Sequence, residues 1–573
     1  MPTPSTPSSA QKKQLRLHDI TLIGIMGVLA MCGLIYEYLL SHYAARVLGA
    51  VESTIFAMIG IMIVAMGIGA YSARWFKAPF TAFAWLEAII AFIGMTMILV
   101  IAGLIALSEG LPYILSQVFN LPPDFILDGD ILQTLQTLAA TTPYIAGFLL
   151  GAFIGMEIPL IARARQSLYE THLENNIGTI YGADYIGAGI GAAIWVLFLL
   201  SMEITTAALI TASVNIIAGW IFILRYHERI RYRTALIIVH IVLMIIALIL
   251  AKSSSGWMTK LTNILYQDQV VYSTQTHYQH ISVTERQRAN GQPSVVDLYL
   301  NGRLQFSSLD EHIYHNMLVY PAMAASRRHD NILIIGGGDG MALRDVLRWK
   351  PQHVTLIDLD PEMIKLFSGQ GDDPLSKRFA QLNEHAYQDP RVKTITGDAF
   401  IEIETLLAEN QRFDSIIVDL PDPNHPDLNK LYSVHFYERL KLLLQGDGAM
   451  SIQSTSPYHA KHAFQSVGKT TSAAGFAHVE QYRQNIPSFG EWGWTLATKK
   501  GKSGKVRLSE LTELPVENPW VSKALLLAAF EFPANFYSNI KKIKINQLGS
   551  GQLYQYHHRA WATDQGVFNT KED

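Results

Sequence analysis

The sequence predicts two architectures in series: an all-α polytopic membrane domain of about seven helices, then an α/β domain with a doubly wound, mostly parallel sheet and a small β-rich subdomain ahead of it. Three observations predict this. The 573 residues are about four times the commonest single-domain size. Of the 45 Lys and Arg residues only 12 lie in residues 1–250, leaving 33 for the other 323. Beyond residue 250 long apolar runs give way to short apolar strands, each ending in Gly or Asp. The bulk values of 49% hydrophobic, 16% charged, net charge −3 and mean hydropathy +0.18 therefore average two populations. The lone cysteine, Cys32, excludes an intramolecular disulfide and paired-thiol redox chemistry.

Residues 1–11, rich in Ser, Thr and Pro, read as a disordered tail, and the whole segment 1–19 as a cytoplasmic tail. Seven runs then match the roughly 20 helical residues that cross a bilayer core: Ile20–Leu40, Thr54–Ala73, Thr81–Leu107, Leu138–Ile161, Gly178–Met202, Ile204–Leu224 and Thr234–Ala251. They define a transmembrane domain over 20–252. The first run is too long for a cleavable signal peptide. Small residues such as Gly182, Gly187, Gly189 and Gly191 with Ala192 and Ala193, or Gly147, Gly151 and Gly155, let helices approach closely in lipid. Four acids, Glu37, Glu87, Glu157 and Asp184, sit in or near the runs; interhelical hydrogen bonding is the first expectation for them, a cation path the second. Lys12, Lys13 and Arg16, then Arg74 and Lys77, then Arg163 and Arg165, then Arg225, Arg229, Arg231 and Arg233 mark alternate loops as cytoplasmic, whereas the intervening loops carry only Arg46. The chain is expected in the cell (inner) membrane, in contact with the lipid bilayer and with its amino terminus cytoplasmic. The loop 108–136 holds Glu109, Asp124, Asp128 and Asp130 and no base.

After an amphipathic stretch, Trp257–Tyr266, a linker and small β subdomain are expected over 253–306, with Ser294–Leu300 a strand near the Asn301-Gly302 turn. Strands and helices alternate over 307–500: NILIIGGGDG from Asn331, a helix from Met341, VTLIDLD from Val354, a helix from Pro361, VKTITGD from Val392, a helix from Ala399, SIIVDLPD from Ser415, a helix from Lys430, and AMSIQ from Ala449. Ligands of such sheets bind beyond the carboxyl ends of the strands. There the sequence places Asp339, Asp358, Asp398, Asp419 and Asp422. Singly, each acid reads first as a turn or helix-cap residue; five at one edge describe a cation-seeking site. A phosphate ligand would call for Lys, and Gly336–Gly340 lacks the ending of a phosphate-binding loop. An adenosine carrying a sulfonium and amines fits better than NAD or ATP. No metal, resident cofactor or nucleic-acid partner is expected. A C-terminal helical extension occupies 501–573, in which His557 and His558 read as a surface pair, since adjacent residues do not share a helix face.

Over Tyr278–Thr498 the residues resemble the spermidine synthase (polyamine aminopropyltransferase) family, and its membrane-attached multispan branch in particular. The resemblance is carried by YQHISV at Tyr278, LNGRLQFSSLDEHIYHNMLVYPAM from Leu300, IIGGGDGMALRDVLRW from Ile334, GDAF at Gly397, VDLPDP at Val418 and SIQSTSP at Ser451. It implies a Rossmann-like sheet of the S-adenosylmethionine-methyltransferase type, a homodimer, and transfer of an aminopropyl group from decarboxylated S-adenosylmethionine, a co-substrate, to putrescine, giving spermidine and methylthioadenosine. It assigns Asp419 as base and Asp422 as holder of the acceptor. Asp339 would bind the donor's propylamine and repel the carboxylate of ordinary S-adenosylmethionine. Tyr314 and His315 would contact the aminopropyl or acceptor amines. Gln279, Asp358, Asp398, Ala399 and Pro426 would line the methylthioadenosine moiety, with Gln453 and Phe489 as further candidate positions, Phe489 on the acceptor side. The chemistry agrees: an alkylamine of pKa near 10.4 must lose a proton before it attacks carbon next to a sulfonium.

The chain departs from the family's pattern at Leu420-Pro421, where small or hydroxyl residues are usual, and at Phe489, where many members carry Tyr. Three other readings stand beside the synthase: aminopropyl transfer to another amine such as a lipid headgroup, a methyltransferase on the same sheet, and a polyamine transporter or sensor with a synthase-like domain. An odd number of spans also puts the catalytic domain opposite the cytoplasmic amino terminus, away from where its nucleoside-derived donor is made, unless the long third run is miscounted.

Overall fold

The computed structural model describes residues 9–48, 51–118, 130–169, 176–200, 202–266, 268–370 and 373–564. The chain divides into two compact units, Met1–His277 and Tyr278–Asp573.

The first unit contains helices α1 Ser9–Leu48, α2 Val51–Ser72, α3 Pro79–Val118, α4 Asp130–Tyr169, α5 Asn176–Ile194, α6 Ile204–Arg225 and α7 Arg233–Leu265. All seven are long and apolar enough to cross a membrane, by length and composition. Of the glycines expected at helix contacts, Gly151, Gly155, Gly187 and Gly191 sit where helix backbones meet and Gly147 meets side chains, but Gly182 and Gly189 have nothing within 4 Å and make no close approach. A Cβ on Gly69 of α2 would lie 1.9 Å from the carbonyl oxygen of Ala152 on α4, and one on Gly155 of α4 would lie 2.1 Å from that of Met66 on α2. Inside the bundle Glu37, Glu87 and Glu157 are buried. Glu87 Oε2 accepts a 2.7 Å hydrogen bond from Asn215 Nδ2 on α6, an interhelical bond of the kind expected for these acids.

Boundaries differ from the sequence reading at α1 and α7, while the third run keeps its count of one. Helix α1 begins at Ser9, within the segment expected to be disordered; residues 1–8 lie outside the described residues. The long third run forms one unbroken helix and so counts as one candidate span. Helix α7 continues to Leu265 and absorbs most of the amphipathic stretch, since Gly256 is too weak a breaker to end a helix packed on one side. Asp124 and Asp128 of the acidic loop lie outside the described residues. Strand β1, Gln269–Gln275, follows α7.

In the second unit β2 His280–Arg286, β3 Val295–Leu300 and β4 Arg303–Ser307 pair antiparallel, with Asn301 and Gly302 at φ 51° and 79° in the tight turn between the last two. Helix α8, Glu311–Ala325, leads into a seven-stranded sheet: β5 Asn331–Gly336, β6 His353–Asp358, β7 Val392–Thr396, β8 Phe413–Asp419, β9 Leu444–Gln453, β10 His478–Ile486 and β11 Gly490–Thr498. Their spatial order is β10-β11-β9-β8-β5-β6-β7. Strands β5 to β9 run parallel, and β10 and β11 add an antiparallel edge. Ile332, Leu333, Ile334 and Ile335 are wholly buried, the continuous apolar pattern of a strand covered on both faces. The covering helices are α9 Met341–Leu347, α10 Pro361–Ser368, α11 Pro374–Leu382, α12 Ala399–Ala408, α13 Val434–Leu443 and α14 Lys461–Ala473, followed by α15 Gly504–Glu510, α16 Lys523–Ala528 and α17 Gln552–Asp564. The chain reverses direction across the sheet at β5, which lies between β6 and β8, so a crevice opens at the carboxyl ends of these strands.

Candidate active site

The turn after β5 builds the floor of that crevice. Gly336 has φ 76°, and a Cβ there would fall 1.9 Å from the carbonyl oxygen of Asp419, the residue it faces across the β5–β8 ladder. Gly338 packs against Asp358, whose Cγ would be 2.8 Å from an added Cβ. Both approaches bring the turn and the two acids together at a distance only glycine permits.

Around this floor Tyr314 and His315 of α8 reach the acids. The Tyr314 hydroxyl donates to Asp419 Oδ1 at 2.7 Å. His315 is buried, its Nδ1 donating to Glu311 Oε2 at 2.9 Å and its Nε2 facing Asp339 Oδ2 at 3.7 Å. Arg344 holds Glu311 with two hydrogen bonds of 2.8 and 3.1 Å. Asp339 Oδ1 also accepts from Met341 N at 2.9 Å, at the start of α9. Phe489 stands beside Tyr314, ring centroids 6.1 Å apart. On the β9 side Gln453 Nε2 donates to Asp422 Oδ1 at 2.6 Å while its Oε1 accepts from the Tyr432 hydroxyl at 2.8 Å. Thr455 Oγ1 donates to Asp422 Oδ2 at 3.2 Å from a backbone with φ 63°, an outlier for a β-branched residue and a mark of a constrained site.

The electrostatics follow from burial and neighbours. Burial raises the pKa of Asp419 to about 6; the charge of Asp339 adds to this, while His315 and the Tyr314 hydrogen bond oppose it. Burial raises Asp358 to about 7 despite donation from the Asp360 and Gly338 backbone. Burial would strip His315 of its charge, but Asp339 and Glu311 outweigh it and hold its pKa well above the ordinary value. Burial likewise opposes ionisation of Glu311, which His315 and Arg344 nevertheless hold down at about 2.

The structure brings Tyr314, His315, Asp339, Asp419, Asp422, Gln453 and Phe489 into one hydrogen-bonded or contacting neighbourhood around β5 and β8. Gln279 reaches the β6 end, where its Nε2 donates to Asp360 Oδ2 at 2.9 Å and Asp360 N donates to Asp358 Oδ1 at 2.9 Å. Asp398 follows β7 and caps α12, its Oδ1 accepting from Phe400 N at 3.0 Å and its Oδ2 paired with Lys430. The cap role, the plainer of its two readings, is thus present, and Ala399 is the first residue of that helix. Pro426 opens the turn Pro426–Tyr432, which follows Asp422 and contains Lys430.

Sequence reasoning missed Asp360, whose signal was the second acid of Asp358-Leu359-Asp360, and Thr455. It also misplaced His557. That residue is 1% exposed, with Nε2 3.0 Å from Asp422 Oδ2, whereas His558 on the opposite face is exposed. The helix-face argument separates the two histidines correctly; the expectation that both lie on the surface is overturned because α17 lies against the turn that follows Asp422.

Residues 311–510 match the family described as the spermine/spermidine synthase domain. A polyamine aminopropyltransferase of Shewanella oneidensis is 53% identical over 98% of both chains, and polyamine aminopropyltransferases 1 of Streptomyces coelicolor and of Ralstonia nicotianae are 34% and 30% identical over 88% and 98% of this chain, and 88% and 99% of their own. The solved spermidine synthase of Thermotoga maritima aligns at 23% identity with TM-score 0.40 over 48% of this chain and 88% of its own. Relatives of one kind, matching over most of both chains, show that the chain belongs to the polyamine aminopropyltransferase family and is an aminopropyltransferase.

Proposed function

We propose that the protein transfers the aminopropyl group of decarboxylated S-adenosylmethionine to putrescine, giving spermidine and methylthioadenosine. In this reading the acceptor amine binds by its ammonium to Asp419 and Asp422, gives up a proton to Asp419 and attacks the carbon beside the sulfonium, whose departure as a neutral thioether discharges the donor. The observation that carries it is Asp419 itself: a carboxylate raised to about 6, oriented by the Tyr314 hydroxyl, and set against the glycine turn where the donor would lie. Asp339 would take the propylamine of the donor, with His315 beside it tempering the local negative charge. Asp358, with Asp360 and Gln279 in support, would hold the ribose; Asp398 and Ala399 would meet the adenine if Asp398 shares an oxygen with Lys430. The seven long apolar helices and the distribution of Lys and Arg support a multipass protein of the cell (inner) membrane with a cytoplasmic amino terminus.

The test is incubation of detergent-purified full-length protein with putrescine and each of the two donors, followed by mass analysis. Spermidine and methylthioadenosine from the decarboxylated donor are the expected products. A methylated product from S-adenosylmethionine, with none from the decarboxylated donor, would favour a methyltransferase; a lipid product formed only with bilayer present would move the acceptor to a headgroup amine.

A further inference from the structure

We infer that His557, on the C-terminal helix beyond the matched domain, is a positioning residue for the acceptor amine, acting by fixing the carboxylate of Asp422. The inference rests on the proposed reading of Asp422 as holder of the acceptor.

Asp422 receives hydrogen bonds from three separate elements. Gln453 of β9 donates to Oδ1 at 2.6 Å, Thr455 of the following loop donates to Oδ2 at 3.2 Å, and His557 of α17 lies 3.0 Å from Oδ2. A carboxylate has about four acceptor positions. With all three made, which requires the proton on His557 Nε2, about one lone pair remains, and the plane of the group is fixed. The substrate N–H is then received from one direction only, which is what orienting an amine for in-line attack on a neighbouring carbon requires.

Trp561, one helical turn on, places its Nε1 3.0 Å from the same His557 Nε2, a contact that is a hydrogen bond only when Nε2 carries no proton and so does not donate to Asp422. One imidazole nitrogen carries either a proton or a lone pair, so it serves Asp422 as donor or Trp561 as acceptor, not both. The indole thus competes with Asp422 for that nitrogen, and it lies nearly parallel to the His459 ring, centroids 5.4 Å apart, which fixes its position.

The helix carrying His557 is anchored independently of it. Leu553 is wholly buried in the core beside α14, and Asn546, also wholly buried, donates to the carbonyl oxygens of Asn429 and Tyr432 at 2.9 and 3.1 Å while Val434 N donates to the Asn546 carbonyl at 3.0 Å. These bonds tie the C-terminal segment to the turn that starts four residues after Asp422. Removal of the imidazole alone therefore leaves α17 in place.

The experiment is steady-state kinetics of the full-length protein carrying His557→Ala, His557→Gln, Trp561→Phe or Asp422→Asn, with each substrate varied in turn and diamines of three, four and five carbons compared. Loss of one such hydrogen bond corresponds to about fivefold. The expected result for His557→Ala is a rise of that size in acceptor KM, a smaller change in kcat, an unmoved donor KM and a weaker preference among the diamines. His557→Gln, which keeps an N–H at similar reach, should recover most of the acceptor KM, and Trp561→Phe should move it less than His557→Ala does. A His557→Ala enzyme with unaltered acceptor KM, or with both substrate KM values raised together and no recovery by Gln, overturns the inference. If Asp422→Asn also leaves acceptor KM unchanged, the reading of Asp422 falls as well; if Asp422→Asn raises it and His557→Ala does not, only the role of His557 falls.

Discussion

At Asp419 burial and the charge of Asp339 push the carboxyl towards neutrality, and His315 with the Tyr314 hydroxyl pull it back, leaving a base that ionises at about 6. A base must be ionised to accept a proton, so kcat/KM is expected to rise with pH through about 6, and a pH–rate profile with saturating donor checks this. Asp419→Asn should lower kcat by about 10²–10⁴-fold and remove that acid limb. Its effect on stability has the opposite sense. An acid whose folded pKa lies above its unfolded value loses stability as pH rises through that window, so at pH 7 the neutral Asn relieves a cost, and the melting temperature should not fall. A marked fall would mean that the carboxylate is structural. Asp339→Asn tests donor selection: KM for the decarboxylated donor should rise by about tenfold or more, and discrimination against ordinary S-adenosylmethionine should narrow, because the charge that attracts an ammonium and repels a carboxylate is gone. His315 works the other way: its charge, held by Asp339 and Glu311, adds stability that is full below the ordinary histidine range and is lost only as pH climbs through its raised pKa.

At the scale of elements, what was legible in the sequence was local. Apolar strands ending in Gly or Asp located the acids Asp339, Asp358, Asp398 and Asp419, because a parallel sheet places every such end on one edge. Helix α11 went unread although Asp373 and Pro374 form a clear cap and first turn, since the segment before it breaks the strand–helix rhythm that organised the reading. The His557–Asp422 contact was not legible at all: it joins residues 135 positions apart, and nothing in the local sequence around His557 encodes its partner. In the first unit some of the glycines were readable as contact points, but Gly182 and Gly189 are not contact points and the partners of the others were not legible. Gly69, Gly151, Gly155, Gly187 and Gly191 meet a backbone carbonyl on another helix, Gly147 meets the Met58 side chain, and Gly182 and Gly189 meet nothing within 4 Å, so the outcome of adding a side chain depends on which face the glycine occupies. Gly69→Leu or Gly155→Leu should separate α2 from α4 and lower the unfolding temperature of the full-length protein in detergent, while Gly24→Leu, with nothing within 4 Å, should leave it unchanged. Equal effects at all three positions would show that composition, not close approach, accounts for these residues.

For the whole molecule the question is which side of a membrane the second unit faces. Eleven of the twelve basic residues before residue 250 lie in alternate loops, and Arg46 alone lies in the others. Seven candidate spans, the third a single unbroken helix, make the count odd. In the membrane reading proposed above, Lys and Arg near span ends resist transfer and acids contribute little to the choice, so the basic loops would stay cytoplasmic and the chain after α7 would emerge on the other side. The expected outcome is that alkaline phosphatase fused after residue 573 is active in intact cells and a fluorescent protein fused there is dark, with the pattern reversed for fusions after Arg231. A bright fluorescent fusion at the carboxyl terminus would falsify this orientation and mean that one of the seven helices lies along the membrane or within the protein; α5, with the lowest hydropathy among them at 1.6, would be the first to examine by cysteine labelling from each side. If the outward orientation holds, the donor, made where nucleosides are made, has to cross the bilayer to reach the Asp339–Asp419 crevice. Product formation by intact cells would then depend on the first unit or on another carrier, whereas the purified protein in detergent would need neither.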